Sequence, residues 1–188
     1  NTHYLAEKVG QFFSSYTPPI DIDLSYEGKL LGPGGTLLRH REKLASGDFL
    51  VAHADNFSLI NWPEFLGAYN SRPEHCVGLM MTFESDDPSS CGIVQTDARG
   101  IVTAMHEKVQ SPPGRLANAA TFLFSPKVFE IIGRLDPATG FDISQDIIPS
   151  LCGRLTTYEN TRYHRDIGTV KELSQGRADQ ARRVGGRK

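Results

Sequence analysis

The stretch Asp48-Phe49-Leu50-Val51-Ala52-His53-Ala54-Asp55-Asn56 decides how this chain is read. Residues 49–53 are apolar, few in number and bounded by Gly47 and by polar residues, the pattern of a buried strand. The run ends at Asp55. A carboxylate just past the carboxyl end of a central strand lies where an open α/β sheet places its ligands. A carboxylate facing such a crevice suits Mg²⁺, which draws its other ligands from water and substrate phosphates. Taken alone, the segment is equally consistent with Asp55 capping the turn or helix that follows.

Downstream, strands and helices alternate. Residues 62–69 read as a helix with Pro63 in its first turn and Asn61 as cap, and Trp62 as a packing residue. Residues 76–83 read as a buried strand. A strand opening on Gly92 turns at Asp97-Ala98-Arg99-Gly100 and returns over 101–106. Residues 117–124 form a further strand, 126–135 a helix capped by Ser125, and 141–151 another helical stretch. A short strand at 155–159 and a helix from Val170 to about Arg183 complete the chain. Alternation of this kind predicts an α/β domain with a mixed, mainly parallel sheet, the hairpin supplying antiparallel strands.

Upstream, Leu5, Val9, Phe12 and Phe13 share one face of a helix that Thr2 would cap. Pro18-Pro19 ends it. Residues 20–26 alternate apolar and polar as a half-exposed strand, which makes Asp21 and Asp23 its solvent face rather than a metal pair. The glycine-rich loop 27–36 precedes a helix over 37–44. Glycine lets backbone approach a flat ligand or a phosphate, and a helix N-terminus favours anions.

A chain of 188 residues suits one domain, here 1–183, with 184–188 as a basic, flexible tail. Lys+Arg 20 against Asp+Glu 22 gives no bias toward nucleic acid or membrane surfaces. Cys76, Cys91 and Cys152 lack zinc spacing and read as free thiols of a reducing cytoplasm. No apolar run is long enough to span a membrane.

Several pieces now form one pattern. They are Tyr26-Glu27 with Leu31-Gly32-Pro33-Gly34-Gly35-Thr36, Ala54-Asp55, Gly92-Ile93-Val94, Glu107-Lys108, Leu116-Ala117-Asn118-Ala119 and Asp166-Ile167-Gly168-Thr169. In that order they resemble the sugar-1-phosphate nucleotidyltransferases, which make an NDP-sugar and pyrophosphate from an NTP and a sugar 1-phosphate. The resemblance extends over nearly the whole chain. It implies a Rossmann-like three-layer fold and two metal carboxylates, Asp55 and Asp166, sharing Mg²⁺. It also implies base contacts at Gly32 and Gly35, sugar-phosphate contacts at Gly92, Glu107, Lys108 and Asn118, and a catalytic role for Lys108 beside the aspartates. Residues 89–94, 106–114 and 163–169 look most like the mannose- and heptose-1-phosphate guanylyltransferase branch, so GTP is the expected nucleotide. Assembly is left open, a homodimer included.

That chemistry suits these residue types. In-line displacement at the α-phosphate brings two anions together, and a divalent cation offsets their repulsion. Positioning and charge stabilisation then dominate. Plainer roles stand beside these: Glu107-Lys108 as a solvated strand end, Asp166 as a helix cap, Asn118 as a satisfied core amide. His53 reads as structural.

The family's opening strand and its Gly-x-Gly-Thr-Arg-Leu loop would precede Asn1, a unit of about 50 residues. The expectation is that the polypeptide without them is inactive. A non-catalytic nucleotide-sugar-binding or regulatory module of the same fold is the alternative. A glycosyltransferase would want a D-x-D where His53-Ala54-Asp55 stands.

Overall fold

The computed structural model describes residues 1–133 and 142–185. Helix α1 (Ala6–Ser15) is followed by α2 (Gly32–Arg39), α3 (Arg41–Leu44), β1 (Phe49–Ala52), β2 (Asn56–Leu59) and α4 (Trp62–Asn70). Then come β3 (Gly78–Glu84), β4 (Gly92–Thr96), β5 (Val102–Glu107), β6 (Leu116–Phe124) and α5 (Val128–Ile132). A π-helical turn (Ile143–Ile147) continues as α6 (Ile148–Ser150), before β7 (Leu155–Glu159), β8 (Tyr163–Asp166) and α7 (Val170–Gly185).

Six strands form one sheet in the order β5-β4-β6-β3-β7, with β1 paired to β6 beside β4. The sheet is mixed, as expected, but it is not mainly parallel: β3 with β7 is its one parallel ladder among the described residues. The reason is the hairpin. It reverses the chain, so β6 enters antiparallel between β1 and β3, which run in the same direction on either side of it. The separate β2–β8 ribbon was not read from the sequence at all.

Alternation along β3 and β6 sends side chains to two cores. Met80, Phe122 and Phe124 join Phe49, Val128, Phe129, Ile143, Ile147 and Leu151 on one face. Leu79, Met81, Ala119 and Leu123 meet Phe65 and Tyr69 of α4 on the other. Helices therefore cover both faces, giving three layers. Phe65 is fully buried and anchors α4, a contribution of roughly 2–3 kcal/mol. Trp62 packs edge-on against it at 5.9 Å but stays 46% exposed.

Upstream of β1 the expectations fare less well. Residues 20–26 form no strand beyond a single Thr2–Tyr26 bridge, and Ile20, Ile22 and Leu24 are exposed. Alternation alone cannot make a strand where no neighbour pairs with it. Thr2 does not cap α1. Its amide and carbonyl pair with Ser25 and Glu27, and Leu5 precedes the helix in the left-handed region. Leu5 and Phe12 stay exposed, and no residue of α1 is buried. Strand β1 ends at Ala52 and is only partly buried; Leu50 is exposed. The 37–44 helix begins earlier, at Gly32, and breaks at His40. Ser125 donates to the Val77 carbonyl (3.1 Å) rather than capping α5. The expected helix ends at Leu135 and Phe141 lie outside the described residues, as do 186–188 of the tail. No helix among the described residues is long and apolar enough to cross a membrane.

Candidate active site

Beyond β1 the chain turns tightly, the Asn56 amide donating to the His53 carbonyl (3.3 Å), and enters β2. Antiparallel pairing sets Asn56 opposite Asp166 at the end of β8. The Ile167 amide donates to the Asp55 carbonyl (2.7 Å), and the Gly168 amide to Asp166 Oδ1 (2.7 Å). Both aspartates are exposed. A Cβ placed on Gly168 would lie 3.1 Å from Asp55 Oδ2 and 3.0 Å from Asp166 Oδ1. Two carboxylates 111 positions apart in sequence thus converge on one glycine, which leaves the space between them open.

The ribbon is braced from behind. Arg165 pairs with Glu172 (2.6 Å) and Asp179 (3.2 Å) of α7, and the Tyr163 hydroxyl donates to Asp179 (2.8 Å). His164 Nδ1 meets Ser58 Oγ at 2.8 Å, with its ring 4.3 Å from that of Phe83. Burial pushes the imidazole down to about 4 against the opposing pull of Asp166, so it is neutral at neutral pH. No group of three or more His, Cys, Asp or Glu among the described residues could hold a metal. Two exposed carboxylates with open positions are poor ligands for zinc, and they fit Mg²⁺, which needs few protein oxygens.

Gly92, Glu107, Lys108 and Asn118, expected to contact the sugar phosphate, lie at the β4–β5–β6 end. A Cβ on Gly92 would collide with the Glu107 carboxylate and the Met105 methyl, so glycine there admits Glu107 over β4. Burial pushes the Glu107 carboxyl up; the Lys108 charge offsets part of this and the charge of Asp142 adds to it. Lys108 sits at φ 49, its amide on the Cys91 carbonyl (3.1 Å) and its ammonium 3.8 Å from Glu107. Asn118 Oδ1 accepts from the Ala120 amide (2.9 Å), and Nδ2 donates to Ser144 Oγ (3.2 Å). Among the described residues, one N–H and one lone pair of that amide have no partner.

Sequence reasoning missed Asp142, whose Oδ1 accepts from the Ser144 (2.6 Å) and Gln145 (3.1 Å) amides. An Asp just before an apolar helical run was the available signal. The turn it caps packs against α2. At the start of α2, Gly32 has φ 74 and is half-buried, whereas Gly35 is buried in the first turn. Of the two, only Gly32 keeps its N–H at the open helix end.

Glu27 was also missed as a site residue. It is fully buried and accepts from the Leu31 amide (3.2 Å) and Thr36 Oγ1 (2.6 Å). Burial opposes its charge, but the Thr36 and Leu31 donors, with the Asn1 side chain and the N-terminal charge, prevail and the carboxyl lies below its ordinary range. A cleft of about 640 Å³ is lined by Ser58, Leu59, Ile60, Trp62, Arg162 and Arg183, none of them a predicted site residue.

Residues 3–183 match the family model described as nucleotidyl transferase. The chain belongs to that family. A mannose-1-phosphate guanylyltransferase of Mycobacterium tuberculosis is 25% identical to this chain over 169 residues, covering 88% of this chain and 46% of the relative. The bifunctional protein GlmU of Methanococcus aeolicus is 29% identical over 145 residues, 76% of this chain and 34% of the relative. The chain thus spans half or less of the length of these relatives. HddC from Yersinia pseudotuberculosis, complexed with GMP-PN, superposes with a TM-score of 0.72 over 92% of this chain and 73% of that one, at 20% identity. That likeness supports the three-layer α/β fold.

Proposed function

We propose that this chain supplies the base, sugar-phosphate and cation contacts of a nucleotidyltransferase that joins GTP to a sugar 1-phosphate of the mannose or heptose type, with Mg²⁺ held by Asp55 and Asp166. The observation that carries the reading is the convergence of those two carboxylates on Gly168. Bound there, Mg²⁺ would supply charge to offset the repulsion between two phosphorylated reactants. The sugar phosphate oxygen forms a bond to the α-phosphorus while the α–β bridging P–O bond breaks, and pyrophosphate leaves with that oxygen. Lys108, largely exposed, offers its ammonium to the sugar phosphate as a point charge. Glu107 accepts from a sugar hydroxyl, and Asn118 uses its remaining N–H and lone pair on another. Gly92 leaves room for the Glu107 carboxylate over β4. Gly32 offers its free N–H to the base, and Gly35, by its burial, brings α2 close to the body of the domain.

Support for guanine comes from the guanylyltransferase relative and from the GMP-PN bound by HddC. Thymidylyl- and adenylyltransferases also match, so base choice needs its own test. Calorimetric titration with GDP-mannose, UDP-glucose and dTDP-glucose in MgCl₂ provides it. GDP-mannose is expected to bind most tightly, and Asp55→Ala and Asp166→Ala to weaken it by about tenfold or more. Equal binding of all three contradicts the guanine assignment, and binding indifferent to both substitutions contradicts the site.

A further inference from the structure

Asn56 belongs to two parts of the molecule. Its backbone pairs with Asp166 in the β2–β8 ribbon, next to Asp55. Its side chain leaves the ribbon, and Nδ2 donates to the Ala119 carbonyl of β6 at 3.0 Å. One residue further along β6, the Ala120 carbonyl accepts from the His53 amide (3.1 Å). Ala120 itself lies at φ 47, a conformation an L-residue adopts only when its surroundings hold it there. Asn118 Oδ1 does part of that holding, through the Ala120 amide at 2.9 Å. The ladder between β3 and β6 shifts register at the same place, between Met80 and Thr82. The carboxylate corner and the sugar-facing strand are therefore stapled together at one irregular joint.

We propose that Asn56 is a positioning residue: through its bond to Ala119 it sets the distance between the cation held by Asp55 and Asp166 and the sugar 1-phosphate held beside Asn118. The inference rests on the function proposed above. Asn56 is not among the residues assigned to either ligand. Its amide ties a two-stranded ribbon to the main sheet, where the ribbon has no backbone ladder of its own to that sheet among the described residues. In-line displacement is sensitive to such spacing, since a misplacement of about 1 Å can cost about a hundredfold in rate.

The spacing can be read without turnover. Mn²⁺ replaces Mg²⁺, and the paramagnetic relaxation it imposes on the phosphorus of bound mannose 1-phosphate varies as the inverse sixth power of their separation. The full chain is compared with Asn56→Ala. Affinities for Mn²⁺ alone and for mannose 1-phosphate alone are expected to stay within about twofold, since Asn56 is assigned to neither ligand. The phosphorus relaxation rate at saturation is expected to shift by about threefold or more, because the joint no longer fixes the distance. Asn56→Gln keeps an amide donor on a longer stem, serves if the alanine variant does not fold, and is expected to shift the rate as well. An unchanged rate in the folded variants overturns the proposal and leaves the functional reading intact. Mn²⁺ binding that is absent, or unaffected by Asp55→Ala, overturns the functional reading and this inference with it.

Discussion

Asp55 and Asp166 face each other across Gly168: Oδ2 of the first and Oδ1 of the second lie 3.1 Å and 3.0 Å from the one point a Cβ there would occupy. Gly168 does not sit in the left-handed region, so its backbone accepts alanine. Gly168→Ala therefore isolates crowding of the carboxylates. Mn²⁺ affinity is expected to fall by about tenfold while the melting temperature moves by less than about 2 °C. Wild-type affinity in the alanine variant would mean that the cation does not sit between the two side chains.

Glu107 gives a pH-dependent prediction. Its carboxyl is pushed above its ordinary value chiefly by burial, so the folded chain holds this proton more tightly than the unfolded chain. The group therefore favours folding below the unfolded value, and that advantage is lost as pH rises through the folded one. Glu107→Gln removes the cost that remains at neutral pH. A rise in melting temperature of roughly 2–4 °C at pH 7, shrinking toward zero near pH 4, is expected, along with weaker mannose 1-phosphate binding. Equal gains at both pH values would remove burial of the charge as the cause.

Thr36 and Glu27 hold the glycine-rich start of α2 to the chain before it. Thr36→Val strips a donor from a fully buried carboxylate and is expected to cost about 2 kcal/mol in urea unfolding. Thr36→Ser keeps the donor and should recover most of that. Similar losses for both would point to packing of the methyl group instead.

Ala120 is the strained residue of the β6 joint. Glycine occupies φ 47 without the side-chain clash, so Ala120→Gly is expected to stabilise the fold by about 1 kcal/mol, read from the denaturation midpoint. Destabilisation by that amount would mean the Cβ packs against something worth more than the strain.

How much of this was legible in the chain varies with the range of the contacts involved. Strand β3, the β4–β5 hairpin, β7 and α4 each announce themselves locally, through an apolar run or a turn such as Asp97 to Gly100, where Asp97 Oδ1 accepts from the Arg99 and Ile101 amides. Strand β2 gives no such signal. It has four half-buried residues, and its partner, β8, lies more than a hundred positions away. The direction of β6 is likewise settled by its neighbours rather than by its own residues.

Within the candidate site, Asp55 was read from its place past a strand end, and Asp166, Gly92, Glu107, Lys108 and Asn118 from resemblance to a family; the carboxylates of Asp55 and Asp166 both lie beside Gly168. Asn56 and Ser144 were not singled out, and Glu27 was quoted in a motif without a role of its own. Asn56 and Ser144 act through hydrogen bonds spanning 63 and 26 positions, and polar residues of that kind look no different from solvated ones until the fold brings their partners up. Asn118 shows the reverse: its amide bonds Ala120 and Ser144, so the satisfied-amide reading holds in part.

The most direct test of the shared-cation account is a titration of Mn²⁺ into the chain, followed by the electron paramagnetic resonance of the free ion, for wild type, Asp55→Asn, Asp166→Asn and the double variant. One Mn²⁺ per chain is expected for wild type. Each single substitution should weaken binding of that one ion by about tenfold or more, and the double variant should bind it no better than either single, because the two side chains act on one ion. Mn²⁺ binding that survives both substitutions, or two ions per chain of which each substitution removes one, contradicts it.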